Sequence, residues 1–326
     1  MTHPLPPSPP TSTRRRFTLA LAVAFASALV AARVALAAAP QTPAAIPVVA
    51  TTTLVADLVQ EIGGDRIRVD ALMGPGVDPH LYKASARDVT RLSRAEGVFY
   101  SGLFLEGRME DLFQRLASGK RKVFAATADI PKSSLIAPPD SEGHPDPHVW
   151  GDPALWKIAA RTVARGLAEL DPAGAHAFQK RLKDLESRFD QLSAWAKARV
   201  EEIPPTQRVL ITSHDAFSYF GRAFGLEVVG VQGISTASEA GLADITKLAD
   251  LVRSRSLKAV FVESSVAPAA IERISRDSGA RVGGELFSDA LGRPGDIRGK
   301  GADSYDVGTY AGMLKHNINT VVEALK

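Results

Sequence analysis

Cysteine is absent from all 326 residues of the sequence. Without a thiol, the chain forms no disulfide, offers no thiolate to a metal ion or a substrate, and carries no cysteine for a lipid anchor at a cleavage site. Any bound metal ion must therefore be held without thiolate ligands.

The sequence also lacks an apolar run of the roughly 20 residues that a membrane-spanning helix needs. The run from Leu19 to Val30 follows arginines at 14–16 and precedes Ala35-Leu36-Ala37. A charged start, a short apolar centre and small residues at the end are typical of a cleaved signal peptide. The arginines also fit a twin-arginine signal, so that route and the general secretory route both stay open. We predict a signal peptide over residues 1–37, cleaved near Ala37, and export of a soluble protein to the periplasm.

A strong excess of charge of one sign is missing as well. The whole chain has 39 Lys and Arg against 36 Asp and Glu, a formal net charge of +3. Leaving out residues 1–37 removes four arginines and no acids, which changes the net charge to −1. A nearly neutral surface gives no electrostatic reason to expect nucleic acid as a partner, and we predict none.

Short β-branched runs alternate with longer helical patterns in two series along the chain. Strand and helix in alternation indicate parallel α/β layers. We therefore predict an α/β fold with two lobes, each a roughly four-stranded parallel sheet flanked by helices and each with its own core. The eight predicted strands are Ile46 to Thr52, Ile67 to Leu72, Gly97 to Tyr100 and Lys122 to Ala126, then Arg208 to Thr212, Glu227 to Val231, Ala259 to Glu263 and Ala280 to Gly284.

Between the two series, one long helix is predicted from Pro172. Apolar residues at 178, 182, 185, 189, 192 and 196 place a single apolar stripe along it. Asp171 is a suitable N-cap, and Pro204 prevents the helix from continuing. The predicted organisation is a signal peptide at 1–37, an N-terminal lobe at 38–171, a linking helix at 172–203 and a C-terminal lobe at 204–326. A long surface helix within one domain is the alternative.

Four side chains are candidate metal ligands: His80, His148, His214 and Asp289. Three of them follow predicted strands, where ligands of open α/β sheets bind, and His148 lies on a loop stiffened by prolines. Three imidazoles and a carboxylate suit a divalent ion such as zinc, and four protein ligands would close the site to water. Because imidazoles bind metals only when neutral, affinity should fall below about pH 6.

Other residues near these four receive weaker predictions. The acids Glu263, Glu239 and Asp215 could orient the imidazoles, or they could be ordinary caps and surface ion pairs. Trp150 and Phe217 are expected to pack the walls of the crevice. The remaining histidines are expected to lie outside the site: His3 in the signal region, His144 as the weakest candidate, and His176 and His316 as solvated or structural residues.

Several motifs together resemble the metal-specific solute-binding proteins of bacterial ABC transporters, the zinc and manganese cluster with a rigid linking helix. The resemblance covers nearly all of the chain after the signal peptide. It implies that His80, His148, His214 and Asp289 bind the ion, two from each lobe, and that a monomer delivers it to a membrane permease. The motifs are Gly76-Val77-Asp78-Pro79-His80, Asp146-Pro147-His148-Val149-Trp150, Ser213-His214-Asp215-Ala216-Phe217, Gly233-Ile234-Ser235-Thr236, Phe261-Val262-Glu263-Ser264-Ser265, Glu285-Leu286-Phe287-Ser288-Asp289 and Tyr310 to Asn317.

The choice of metal depends on the same resemblance. Many zinc importers of this kind carry a loop rich in histidine and acid before the second ligand, and here only His144 remains. Many manganese binders have glutamate as the third ligand, whereas this sequence has His214. The softer nitrogen ligand favours zinc, so we predict Zn2+, with Mn2+ as the alternative.

Two other classes of protein stay open at this point. A secreted metallohydrolase could use the same ion with Glu263 or Asp215 as general base, but it would need a labile water on the metal. A receptor for an organic ligand such as a siderophore or haem would need an aromatic or arginine-lined pocket. No His-Glu-x-x-His motif, phosphate loop or catalytic triad order occurs, and we predict that the protein is not an enzyme.

Overall fold

The structure is a computed structural model that describes residues 1–5, 44–138 and 143–326. The apolar centre of the predicted signal peptide, its arginine run and its cleavage site near Ala37 lie outside the described residues. Residues 1–5 have no regular secondary structure, and residues 45–326 form one compact unit. Within the described ranges, the structure contains no helix with the length and apolar character required to span a bilayer.

The compact unit alternates strands and helices along most of its length. The strands are β1 (Ile46–Ala50), β2 (Ile67–Ala71), β3 (Gly97–Tyr100), β4 (Lys122–Ala125), β5 (Val209–His214), β6 (Glu227–Gln232), β7 (Ala259–Glu263), β8 (Arg281–Leu286), β9 (Ile297–Arg298) and β10 (Tyr305–Asp306). The helices are α1 (Thr53–Gly63), α2 (Ala86–Arg94), α3 (Glu110–Ser118), α4 (Pro153–Leu170), α5 (Ala175–Val200), α6 (Ser218–Phe224), α7 (Leu242–Ser254), α8 (Ala269–Ser278) and α9 (Tyr310–Leu325).

The N-terminal half, residues 45–171, contains one parallel sheet in the order β2-β1-β3-β4. Its central strands β1 and β3 are almost continuously apolar because helices cover both faces of a parallel sheet. All four strands predicted for this half are confirmed, and their ends differ from the prediction by at most two residues. The carboxyl ends of these strands meet at one edge, from which the loop carrying His80 emerges.

The C-terminal half, residues 204–326, contains the other four predicted strands. They form two parallel pairs, β5-β6 and β7-β8, and the described residues show no ladder between the pairs. Strand β5 is buried at every position and ends at His214. The register of β7 and β8 shifts between Val260 and Phe261. The parallel α/β arrangement is thus confirmed, and the second half is divided into two short sheets.

Helix α5 corresponds to the predicted linking helix. The Asp171 side chain accepts a hydrogen bond from the Gly174 backbone N–H, and a 3-10 turn at Pro172–Gly174 precedes the α-helix. The α-helix ends at Val200, three residues before the predicted boundary at 203, and Pro204 restricts the residue before it to a non-helical conformation. At 1.5 Å per residue, its 26 residues span about 39 Å.

The apolar stripe of α5 lies inside the largest hydrophobic cluster of the protein. All six predicted stripe residues are buried there. The cluster includes residues from both halves, for example Val48 of β1 and Ile318 of α9. Each half also has a smaller cluster of its own. The two halves therefore share one continuous core along α5, which limits how far they can separate.

Candidate metal centre

The four predicted ligands converge on one point between the halves. Each offers a ligand atom, and these atoms all lie within 4.8 Å of one another. His148, His214 and Asp289 are completely buried, whereas His80 is 8% exposed. His80 lies on the loop after β2, His148 on the loop before α4, His214 at the end of β5, and Asp289 just after β8.

The polar atoms of these side chains face one another at contact distance. His80 Nε2 lies 3.2 Å from His148 Nε2. Asp289 Oδ1 lies 3.3 Å from His148 Nε2, and Asp289 Oδ2 lies 3.4 Å from His214 Nε2. His214 Nε2 and Asp289 Oδ1 are buried and make no hydrogen bond within the described residues. Because buried polar atoms are nearly always hydrogen-bonded, this cluster fits a bound cation. Three nitrogens and one oxygen are ligands that zinc accepts.

Asp146 orients the His148 imidazole. Its Oδ1 atom accepts a hydrogen bond from the His148 backbone N–H at 2.9 Å and lies 2.7 Å from His148 Nδ1. This contact places the proton on Nδ1 and leaves Nε2 to face the cluster. Sequence reasoning did not single out Asp146, although its position two residues before His148 is the spacing of a side chain that bonds the backbone two residues on.

Glu263 plays the same part for His214. Its Oε1 atom accepts a hydrogen bond from the His214 backbone N–H at 2.9 Å, and its Oε2 atom lies 2.6 Å from His214 Nδ1. The prediction for Glu263 is therefore confirmed. For Asp215 and Glu239 the second alternative holds: the Asp215 carboxylate accepts a hydrogen bond from the Ser218 hydroxyl at the start of α6, and Glu239 is exposed.

Asp289 is held from two sides. The Ser265 hydroxyl donates a hydrogen bond to Asp289 Oδ2 at 2.9 Å. Two residues before Asp289, the Phe287 backbone N–H donates to Asn317 Oδ1 at 3.0 Å, and its carbonyl accepts from Asn317 Nδ2 at 2.7 Å. Helix α9 thus fixes the chain that presents Asp289 through the amide of one buried side chain.

The electrostatics of the two inner histidines differ from those of free histidine. Burial lowers the pKa of His148, but the carboxylates of Asp146 and Asp289 outweigh it and raise the pKa to about 9. Burial also opposes the charged form of His214, but Glu263 and Asp289 raise its pKa well above the ordinary value. At neutral pH without an ion, at least one of these two imidazoles is therefore protonated to imidazolium. An incoming cation must displace that additional proton.

His80 and Asp289 have the opposite shifts. Burial, with His148 and His214 nearby, lowers the pKa of His80 to about 3 despite the favourable field of Asp289. The structure pairs no carboxylate with the His80 ring among the described residues. Burial raises the pKa of Asp289, but the two inner histidines lower it well below its ordinary range. His80 is thus neutral and Asp289 charged, as metal ligation requires.

The loop that carries His148 is bound to the C-terminal half by hydrogen bonds. Tyr219 OH donates to the Asp146 carbonyl at 2.9 Å, and Trp150 Nε1 donates to the Ser288 carbonyl at 2.9 Å. Trp150 and Phe217 are both buried, as predicted for the crevice walls. The contacts of Tyr219 and Trp150 join segments far apart in sequence, so no local sequence pattern predicts them.

His144, His176 and His316 lie outside this cluster, as predicted. The His144 ring stacks on Phe104 with 4.1 Å between centroids. His176 is exposed on α5, and His316 Nε2 lies 3.0 Å from the Glu285 carbonyl oxygen.

Comparisons with known proteins give consistent results. The family described as zinc-uptake complex component A, periplasmic, matches residues 48–324. The manganese-binding lipoprotein MntA of Bacillus subtilis is 44% identical over 288 residues, covering 86% of this chain and 90% of that protein. The manganese ABC transporter substrate-binding lipoprotein PsaA of Streptococcus anginosus is 29% identical over 284 residues, covering 86% and 89%. The structure of the periplasmic zinc-binding protein TroA from Treponema pallidum matches with a TM-score of 0.80 at 40% identity, covering 86% and 99%.

The family match extends from β1 to α9 and includes all four converging side chains. The match to the TroA structure shows the same α/β architecture over nearly the whole of that protein. On both grounds, the chain belongs to the zinc-uptake complex component A family of periplasmic metal-binding proteins.

Proposed function

We propose that this protein captures one divalent transition metal ion, Zn2+ in the first place, and delivers it to the membrane permease of an ABC importer. The ligands are His80, His148, His214 and Asp289. The observation that carries the proposal is their convergence within 4.8 Å in a buried site. Four protein ligands leave no position for substrate on a tetrahedral ion, so the site is suited to holding the ion rather than to chemistry on it.

Manganese is the second candidate for the cargo. Three imidazoles favour zinc on ligand softness, and the TroA relative is named as a zinc-binding protein. The relative MntA, at 44% identity, is named as a manganese-binding protein. Divalent first-row transition metals bind a given nitrogen and oxygen site in a nearly fixed order of affinity. The metal carried in the cell therefore also depends on which ion is available.

The alternative of a secreted metallohydrolase is set aside. The family consists of binding components of importers and not of enzymes. Its candidate general bases are also occupied, since Glu263 contacts His214 and Asp215 accepts a hydrogen bond from Ser218. The receptor for an organic ligand is set aside as well, because the buried point where the histidines meet is the size of one ion.

The location and assembly follow from the same proposal. Export by the signal peptide at residues 1–37 would place the protein in the periplasm as a monomer, with lobes at 38–171 and 204–326. The relatives MntA and PsaA are named as lipoproteins. The 326 residues here contain no cysteine that could carry such a lipid.

A metal titration tests the proposal. Protein purified after export should bind one Zn2+ per chain in competition with a chelator, and Mn2+ more weakly. His214→Ala should lose most of the affinity, because it removes a buried ligand and leaves Glu263 without its partner. His176→Ala, an exposed histidine on α5, is the matched control and should bind like the unaltered protein. Equal affinities in the two variants would refute the assignment of His214.

A further inference from the structure

The four ligands are not held equally. His148, His214 and Asp289 each have a side-chain partner that fixes them: the buried Asp146 and Glu263, and the partly buried Ser265. The His148 loop is also bonded to the C-terminal half through Trp150 and Tyr219. These three ligands therefore form a preorganised partial site. His80 lacks such a partner among the described residues, and it is the most exposed of the four.

The His80 loop, residues 74–80, contacts the C-terminal half near Thr236 and Ser264. Outside the ligand cluster, one hydrogen bond within the described residues connects residues 74–80 to the C-terminal half. It joins Thr236 to Asp78. The Thr236 hydroxyl donates to Asp78 Oδ2 at 2.5 Å. The loop also passes close to Ser264, since a Cβ added at Gly76 would lie 3.5 Å from the Ser264 carbonyl oxygen.

Asp78 connects this contact to the ligand. Its second oxygen, Oδ1, accepts a hydrogen bond from the His80 backbone N–H at 2.8 Å. Pro79 stands between the two residues and fixes the backbone there, since its ring locks φ. A displacement of the Asp78 carboxylate therefore displaces His80. The two oxygens of one side chain transmit the position of Thr236 to the imidazole.

Thr236 lies on a short strap, residues 233–238, between β6 and α7. Most of the strap is exposed, but Thr236 is 9% exposed because it faces Asp78. Within the described residues, the only hydrogen bond given between the strap and the rest of its own half runs from the Asp215 N–H to the Gly233 carbonyl, at 3.3 Å. Segments with few internal bonds open at low free energy, so the strap can move without unfolding β6.

We propose that the Thr236 hydroxyl holds the His80 loop in its ligating position and thereby sets how long the ion stays bound. The inference rests on the proposed function. When the strap lifts, Asp78 is released to solvent, His80 leaves with its loop, and the ion remains on three ligands. A cavity of about 560 Å³, lined by His80, Phe104 and Ser235 among others, lies in front of the site and provides the space for this movement. Thr236 is a positioning residue and does not touch the ion.

Release kinetics test the role of Thr236 directly. Zn2+ dissociation is followed by stopped flow into excess chelating dye, for the unaltered full chain and for Thr236→Val, which replaces the hydroxyl by a methyl group of similar size. Losing a hydrogen bond to a carboxylate should speed release by about 5- to 50-fold. Thr236→Ser keeps the hydroxyl and should restore slow release. Thr246→Val, which removes a hydroxyl that donates to its own helix α7, is the matched control and should release at the normal rate.

The outcomes separate the two proposals. Normal release from Thr236→Val, with tight binding retained, would overturn the role of Thr236 and leave the metal-binding function intact. Absence of binding in the unaltered protein would refute the proposed function itself. A merely structural role would lower the melting temperature of the ion-free variant without changing the release rate, and this result also counts against the proposal.

Hydrogen exchange of the unaltered protein gives a test that needs no variant. Adding Zn2+ should protect the amides of residues 74–80 and 233–238 together. The amides of residues 146–150 should be protected already without the ion, because their loop is bonded to the C-terminal half. Exchange in the strap that is unaffected by Zn2+ would overturn the proposal, whatever the variants show.

Discussion

The tripeptide Asp-Pro-His occurs at two of the four proposed ligands, and its two copies make different contacts. In both, the aspartate Oδ1 accepts a hydrogen bond from the histidine backbone N–H, at 2.8 Å for Asp78 and His80 and at 2.9 Å for Asp146 and His148. In the second copy the same oxygen also contacts the imidazole. In the first copy the other oxygen turns away and accepts from Thr236 across the cleft.

The difference shows that the tertiary surroundings of a local motif determine which contacts its aspartate makes. Asp146 is completely buried, and its carbonyl accepts a hydrogen bond from Tyr219 of the other half. Asp78 is only partly buried, at the mouth of the cleft. On the proposed mechanism, the same turn fixes one ligand in place and attaches the other to a movable contact. One site can then combine strong binding with release.

The largest expected contrast is between the two histidines themselves. His148→Ala should weaken Zn2+ binding on the order of a thousandfold, because it removes a ligand and leaves the buried Asp146 carboxylate without its partner. His80→Ala should cost about a hundredfold, since water can take the position of a ligand that lies at the edge of the site. Competition titration against chelators of graded affinity measures both losses.

The control for this contrast is the stability of the ion-free variants. Because the largest core runs through both halves along α5 and includes none of the four ligands, both variants should remain folded by circular dichroism. An equal loss of affinity in the two variants, with both folded, would show that the site has no fixed and movable parts.

A second contrast concerns protons. The pKa of His148 is raised to about 9 and that of His80 is lowered to about 3. At pH 6 to 8 the ion must therefore displace a proton from the inner pair but none from His80. Affinity should fall at least tenfold for each unit that the pH is lowered, about a hundredfold from pH 8 to pH 6. Free histidine would confine the fall to below about pH 6, and the raised pKa extends it upward.

Calorimetry in two buffers of different protonation enthalpy measures the protons directly. One to two protons should be released per Zn2+ bound at pH 7, and His80→Ala should release the same number. A release of none, with affinity unchanged from pH 8 to pH 6, would contradict the charged state assigned to the inner histidines.

Much of the fold follows from local patterns in the sequence. Apolar runs predict β1 to β8 with every strand end within two residues of its observed position. The stripe from Phe178 to Ala196 predicts α5, because burial acts on each element through its own periodicity. The pairing of the four C-terminal strands as two short sheets does not follow. It depends on contacts between strands, and no single segment records those contacts.

The site divides in the same way. Strand ends and the family motifs predict which four side chains converge, although they are far apart in sequence. The role of Asp146 could be read from its spacing to His148, and that of Glu263 from its place at the end of a strand. The hydrogen bond between Thr236 and Asp78 spans 158 residues, and the one between Trp150 and Ser288 spans 138. Contacts of this kind belong to the folded structure alone.

The smallest contrast, and the most specific, changes the same atom in both tripeptides. Asp146→Asn keeps an oxygen for the His148 N–H groups but removes the charge behind the imidazole, so Zn2+ affinity should fall about 10- to 100-fold. Asp78→Asn keeps the oxygen that accepts from His80, and its amide can donate to the Thr236 hydroxyl. Affinity should then change by less than about threefold, within the range of a neutral hydrogen bond. Competition titration of the two variants at one pH measures both changes in Zn2+ affinity. Equal losses of affinity would mean that the two aspartates have the same role and that the difference in their contacts does not affect binding.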